Sequence, residues 1–325
     1  MTHAIRFHKA GGPDVLQWEE VQVGRPGPGE ARVRNTAVGL NYVDTYVRSG
    51  LYPAAMPSGL GAEGAGVVEE VGPGVSDVKA GDRVAYGNGP LGAYSQARVM
   101  PADRLVVLPE GISDQQGAAM MLKGMTTQYL IRQIRKLGKG DVILFHAAAG
   151  GVGLIACQWA KALGATVIGA AGSPEKCAIA RAAGCDAAID YRATSDLPAA
   201  LLAATGGRKA RVVYDSVGRD TFLHSLDCAA PFGLVVLYGA ASGPAPAIQP
   251  ELLNKKGCLF LTRPSVFPHN ADPATFRANA ADVFDAIKSG SVRATIGARF
   301  PLAQVADAHR AAEARATTGA IVLLP

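Results

Sequence analysis

The stretch Val142-Ile143-Leu144-Phe145-His146-Ala147-Ala148-Ala149-Gly150-Gly151-Val152-Gly153 decides the fold. A short apolar run of strand type passes directly into small residues, and these open an apolar segment with helical character, Val152 to Leu163, that carries Gln158 and Lys161. Ala148-Ala149-Gly150-Gly151-Val152-Gly153 is the G-x-G-x-x-G pattern with alanine in first place. Small side chains let the backbone turn tightly, approach a pyrophosphate and pack the helix on the strand, while free N–H groups at the helix start meet the anion.

Working outward, strand-like runs recur at helical intervals: Thr166 to Ala170, Ala187 to Asp190, Val212 to Ser216, Leu234 to Gly239 and Cys258 to Thr262. Helices are expected at Pro174 to Ala183, Leu197 to Ala204 and Asp220 to Cys228. Six strands alternating with helices predict an α/β doubly wound parallel sheet of Rossmann type. Before about residue 110 the rhythm differs. Short β-like runs at Ala4 to Lys9, Glu30 to Ala37, Ala65 to Val71, Arg83 to Ala85, Gly92 to Val99 and Arg104 to Leu108 are divided by Gly and Pro, which predicts a mostly antiparallel, barrel-like sheet. After a helical stretch, Pro273 to Ser289, come Ile296 to Phe300, a helix at Leu302 to Ala314 and a strand at Ala320 to Leu324, which we expect to return to the first sheet. The Rossmann domain, residues 123–290, is then inserted into a domain built from 1–122 and completed by 291–325.

With 325 residues, 49% of them hydrophobic and 18% charged, the chain has material for two cores and no disordered tract. The formal charge of +5 is small, and its nearest cluster, Arg132, Arg135, Lys136 and Lys139, has spacing that puts it on one helix face, read as solvated; no nucleic-acid partner is expected. No segment has the pattern of an export signal or a membrane span, and the odd, widely spaced Cys157, Cys177, Cys185, Cys228 and Cys258 read as free thiols, so a cytoplasmic protein is expected.

In NAD-specific relatives of this fold an acidic residue closes the second strand and bonds the ribose 2′-hydroxyl. Here that strand ends Gly169-Ala170-Ala171-Gly172-Ser173, and Lys176 follows. A missing carboxylate beside a cation suits a 2′-phosphate, and NADPH is the expected coenzyme; the alternative is that Lys176 is an ordinary solvated lysine. In the first domain, Gly61-Ala62-Glu63-Gly64-Ala65-Gly66 keeps the frame of the G-H-E-x-x-G segment of zinc alcohol dehydrogenases with Ala62 in place of the ligand histidine. All five cysteines lie beyond residue 150. Zinc needs three or four N, S or O ligands, and no metal is expected.

The chain thus resembles the zinc-free branch of the medium-chain dehydrogenase/reductase superfamily. Within it, Gly140-Asp141 through Leu144, Ala148 to Gly153, Gln158 and Lys161 resemble the signature of the quinone oxidoreductase and zeta-crystallin family. Asn41 to Tyr46, Arg48 to Pro53, Tyr214 to Gly218, Thr262 to Ser265 and Glu313 to Thr317 agree with its bacterial members, while Tyr42 and Ala240 depart from them. The resemblance implies a GroES-like catalytic domain beside the Rossmann domain, and NADPH-dependent reduction of a small quinone. It implies that Gly172, Ser173, Lys176, Tyr191 and Arg315 surround the 2′-phosphate and adenine, with Ala149, Gly150, Gly151 and Val152 at the pyrophosphate. Asn41, Thr126, Tyr129, Ser216, Tyr238, Gly239, Ala240, Thr262 and Arg263 would line the ribose and nicotinamide. As oxyanion donors the candidates are Asn41, Tyr46, Tyr52 and Thr126, and Tyr46 and Tyr52 are equally readable as core residues. His146 and Lys123 read as structural. A homodimer is expected through the edge strand 258–262. The alternatives are reduction of enones or alkenals on the same site, or an NADPH-binding protein with a structural or RNA-binding role.

Overall fold

The computed structural model describes residues 2–325. The chain divides into two compact units, one running to Thr126 and joined by Val266–Asp285 and Ala294–Pro325, the other made of Thr127–Ser265 with Ala286–Arg293. Residues 266–285, which the sequence reading counted with the inserted domain, group with the first unit. The reason is local: a methyl on Gly124, in the first unit's helix Asp114–Gln128, would lie 2.6 Å from Val283, so the bare glycine lets the helix Pro273–Lys288 pack directly against it.

In the first unit the strands Ile296–Pro301, Ala320–Leu324, Glu30–Leu40, Glu63–Val71, Arg83–Tyr86 and Val106–Val107 pair in that order, and Ala97–Pro101 pairs with Glu30–Leu40. Only the first pair is parallel. The C-terminal strand therefore does return, with Ile321 opposite Leu40. Glu30–Leu40 alternates until Ala37 and is buried from there onward, so its far end, leading to Asn41, is enclosed. A core of Ile5, Phe7, Val33, Val38, Leu60, Val84, Tyr86, Tyr94 and Met100 fills the sheet.

Two helices here have no strong sequence signature. Tyr42–Ser49 starts at a capping box formed by Asn41 and Asp44 and stops at Gly50, whose φ of 84° is left-handed. Asp114–Gln128 contains two glycines, a composition that weakens helix propensity, and runs into a wider turn at Tyr129–Ile134. That wider turn corrects the placing of the basic cluster on one helix face, although Arg132, Lys136 and Lys139 are exposed as expected. Arg135 is already extended, so Lys136 and Lys139 lie past the helix; Arg132 sits over the Trp159 ring at 5.9 Å, and Arg135 lies 3.8 Å from Asp141.

The second unit holds six parallel strands in the order Ala187–Asp190, Thr166–Ala171, Val142–His146, Ala210–Asp215, Ala229–Leu237, Phe260–Thr262. The chain moves outward from Val142–His146 in one direction and then, from Ala210–Asp215, in the other. Dinucleotides bind at such a switch point, outside the carboxyl ends of the strands. Three expected strands shorten. Gly92 to Val99 becomes Ala97–Pro101, Arg104 to Leu108 becomes Val106–Val107 after a tight turn at Ala102–Arg104, and the last begins at Phe260 because Cys258 has a φ of 54°. No helix among the described residues is long and apolar enough to cross a membrane.

Candidate functional site

At the switch point of the second unit, Val142–His146 ends and Ala147 turns the chain with a φ of 52°. Ala148 donates its N–H to the Ala170 carbonyl at 3.1 Å, tying the turn to the neighbouring strand. Gly150 caps the helix Gly151–Ala162, whose first intrahelical bond runs from Leu154 N to Gly150 O at 2.9 Å. The amides of Gly151, Val152 and Gly153 precede that bond and face outward along the helix axis, where the dipole favours an anion. Gly153 is obligatory, since a Cβ there would lie 2.4 Å from the Ala147 oxygen and 2.7 Å from Ala148 Cα.

Thr166–Ala171 ends without an acid. A Cβ on Gly172 would meet the Tyr191 hydroxyl at 2.8 Å and Arg192 Nε at 3.4 Å, so both side chains gather over the bare Gly172 backbone. Ser173 caps the next helix, accepting from Lys176 N at 3.3 Å. Gly172, Ser173, Lys176 and Tyr191 are thus contiguous. Arg192 was missed by sequence reasoning; its only signal was its place beside Tyr191.

Further along the same edge, Tyr238 N donates to Asp215 O at 2.8 Å, and a Cβ on Gly239 would stand 2.4 Å from Ser216 O, so Ser216, Tyr238, Gly239 and Ala240 share one corner. Thr262 pairs with Val236. Burial pushes the Tyr129 phenol above its usual range, with the Arg263 guanidinium opposing the shift. Beneath them Asp215 accepts from Val217 N, Gly218 N and Thr221 Oγ1 on one oxygen, and from Ser225 Oγ at 2.7 Å on the other. His146 Nε2 lies 3.0 Å from that serine oxygen. Since Ser225 gives its proton to the carboxylate, His146 carries its own on Nε2, and burial holds the imidazole below its usual value. It is a neutral brace beneath the turn.

The first unit contributes a different kind of site, made of side chains. Glu63 is fully buried: Oε2 accepts from Asn41 Nδ2 and Lys123 Nζ, each at 2.7 Å, and Oε1 accepts from Leu122 N at 2.7 Å. A Cβ on Gly39 would lie 2.2 Å from the same carboxylate, so only glycine leaves it room. Asn41 is therefore held by the strand, the next helix and the carboxylate together. The rings of Tyr42 and Tyr46 pack edge to face at 5.7 Å, as do those of Tyr46 and Tyr52 at 5.3 Å. Tyr46 is buried and Tyr52 exposed. Thr126 donates its hydroxyl to Leu122 O at 2.7 Å, one helical turn back, which leaves its oxygen as an acceptor rather than a donor. Arg315 follows the helix Val305–Glu313 with a φ of 55°.

The zinc position does not fit a metal. Ala62 is buried, the Glu63 carboxylate is taken up by three donors, and among the described residues no three His, Cys, Asp or Glu side chains gather. The glycine cradle at 150–153 and the Tyr191 phenol and Arg192 guanidinium over Gly172 do fit a phosphorylated dinucleotide.

Residues 27–110 match the family described as "Alcohol dehydrogenase GroES-like domain", and residues 151–277 match "Zinc-binding dehydrogenase". A quinone oxidoreductase of Pseudomonas aeruginosa is 53% identical over all of both chains. A 2-haloacrylate reductase of a Burkholderia species is 46% identical over all of this chain and 99% of its own. The crystal structure of the Escherichia coli quinone oxidoreductase complexed with NADPH superposes over all of both chains with a TM-score of 0.97 at 47% identity.

Proposed function

The chain belongs to the quinone oxidoreductase family of the medium-chain dehydrogenases/reductases, and from that premise we propose that it reduces a small quinone with NADPH and without a metal ion. The observation that carries the reading is the end of Thr166–Ala171. It offers no carboxylate to a ribose and instead presents the Tyr191 phenol over Gly172, with Lys176 and Arg192 close in sequence.

When bound, NADPH supplies the hydride. The amides of Gly151 and Val152 would hold its pyrophosphate, and Gly172, Ser173, Lys176, Tyr191 and Arg315 its phosphorylated ribose. Tyr129, Ser216, Tyr238, Gly239, Ala240, Thr262 and Arg263 would support the nicotinamide half. Asn41, Tyr46 and Tyr52 would orient the quinone and stabilise the oxyanion that forms on it. A second reading, reduction of an activated alkene, is favoured by the 46% identical 2-haloacrylate reductase.

We also infer a homodimer. Phe260–Thr262 ends the sheet with its outer edge unpaired by any described strand, Phe260 is 62% exposed, and nearby Phe232 is 71% exposed.

One experiment tests the set. Purified protein, dialysed against a strong chelator and sized by light scattering, is given NADPH with quinones, enones and 2-haloacrylates. We expect turnover with quinones, unchanged by the chelator, from a particle of twice the chain mass. Activity lost on dialysis and restored by zinc would refute the metal-free reading, alkene-only turnover would select the second reading, and a monomer would remove the dimer.

A further inference from the structure

Asp44 lies three residues after Asn41 and is 1% exposed. Its Oδ2 accepts from Asn41 N at 2.9 Å and from the Tyr94 hydroxyl at 2.7 Å, while its Oδ1 is buried without a partner. The direction of the bonds behind Tyr94 is fixed. Arg48, which can only donate, gives Nη1–H to His309 Nδ1 at 2.9 Å and is paired with Glu313 at 2.5 Å. His309 must then carry its proton on Nε2, which faces the Tyr94 oxygen at 3.2 Å, and Tyr94 in turn passes its own O–H to Asp44. A line of donors that starts at Arg48 and passes through His309 of the helix Val305–Glu313 and Tyr94 thus ends on one oxygen of a buried carboxyl.

The charges around Asp44 largely cancel. Lys123, from the helix Asp114–Gln128, favours its ionised form, and Glu63, from the strand Glu63–Val71, opposes it; these two are themselves an ion pair at 2.7 Å. Arg48 has its own counter-charge in Glu313. His309 is kept neutral, with burial first and Arg48 second holding it down to about 3. With no net cation facing it, Asp44 is governed by burial, which outweighs the two hydrogen bonds and pushes the carboxyl from 3.8 up to about 7.

We propose that Asp44 is a positioning residue whose uncharged form is the working form of the site: it fixes Asn41 and the start of the helix Tyr42–Ser49 without setting a negative charge beside the oxyanion that reduction creates. This rests on the reading that the substrate is reduced next to Asn41. Ionisation of Asp44 opposes the developing negative charge, so turnover slows as pH rises, while binding of NADPH is left alone.

The test is the pH profile of kcat for quinone reduction by the wild type, Asp44→Asn and Tyr94→Phe. In the wild type kcat should fall about tenfold through one ionisation near neutrality, with KM for NADPH unchanged. Asp44→Asn should lose that step. Tyr94→Phe removes a hydrogen bond that favours the carboxylate and should move the step to higher pH. A step that persists in Asp44→Asn, or that Tyr94→Phe leaves in place or lowers, overturns the proposal.

Thermal unfolding supplies a readout independent of turnover. A carboxyl whose folded value is raised ionises first in the unfolded chain, so its contribution to stability is present below about 4 and is lost as pH rises to about 7. The wild type should show this loss and Asp44→Asn should not; equal slopes overturn the proposal. A wild type that turns over no quinone at any pH refutes the functional reading, while unfolding still decides whether Asp44 holds the proton.

Discussion

The turn at residues 147–153 and the cluster around Glu63 are built by opposite means. The turn is backbone: a left-handed Ala147, a capping Gly150, and a Gly153 on which a Cβ would stand 2.4 Å from the Ala147 carbonyl oxygen. The cluster is side chain, with Asn41, Glu63, Lys123, Asp44, Tyr94, His309 and Arg48 joined by bonds of 2.7–3.2 Å across as many as 261 positions of sequence. A site made of backbone tolerates no added atom. A site made of buried charge tolerates no lost partner.

The largest effect expected from that difference is in the cluster. Glu63→Gln keeps the shape but takes away the carboxylate that the Lys123 ammonium, its side chain 6% exposed, meets at 2.7 Å. Breaking a buried pair by removing one member costs about 3–5 kcal/mol, readable as a lowered urea midpoint. A loss under about 1 kcal/mol would show that the pair is not what holds the cluster. Next in size is Gly153→Ala. The added methyl must push the helix off its strand, at about 1–3 kcal/mol for an overpacked contact, and it should weaken NADPH binding as well. Retention of full stability and affinity would mean that the close approach is dispensable.

The same contrast explains how much was legible in the sequence. Local pattern suffices for a strand, a small-residue turn and a helix, so the six parallel strands and the turn were readable with boundaries shifted by a few residues. The absent acid after Ala171 was readable too, because absence at one position is a local fact. Arg192 was not, since its approach to Gly172 depends on how the chain leaves the strand Ala187–Asp190. The cluster was illegible for a stronger reason. Lys123 and His146 were each recognised only as structural, and nothing near Asp44 announces Tyr94 or His309, which reach it through tertiary packing alone. Thr126 shows the converse: a hydroxyl in a plausible place whose proton is already taken by Leu122 O. The helix Asp114–Gln128 went unassigned because Gly117 and Gly124 weaken its propensity, yet the close contact of Gly124 with Val283 is what those glycines allow.

The second unit is shaped for a 2′-phosphorylated coenzyme, and the most direct measurement of this is a fluorescence titration of NADPH and NADH on the wild type and on Lys176→Ala. A charged hydrogen bond to a partly buried phosphate is worth roughly 1.5–3 kcal/mol. The wild type should bind NADPH much more tightly than NADH, and the variant should weaken NADPH about ten- to hundredfold while leaving NADH nearly unchanged. Equal weakening of both coenzymes, or a wild type that does not distinguish them, would contradict it.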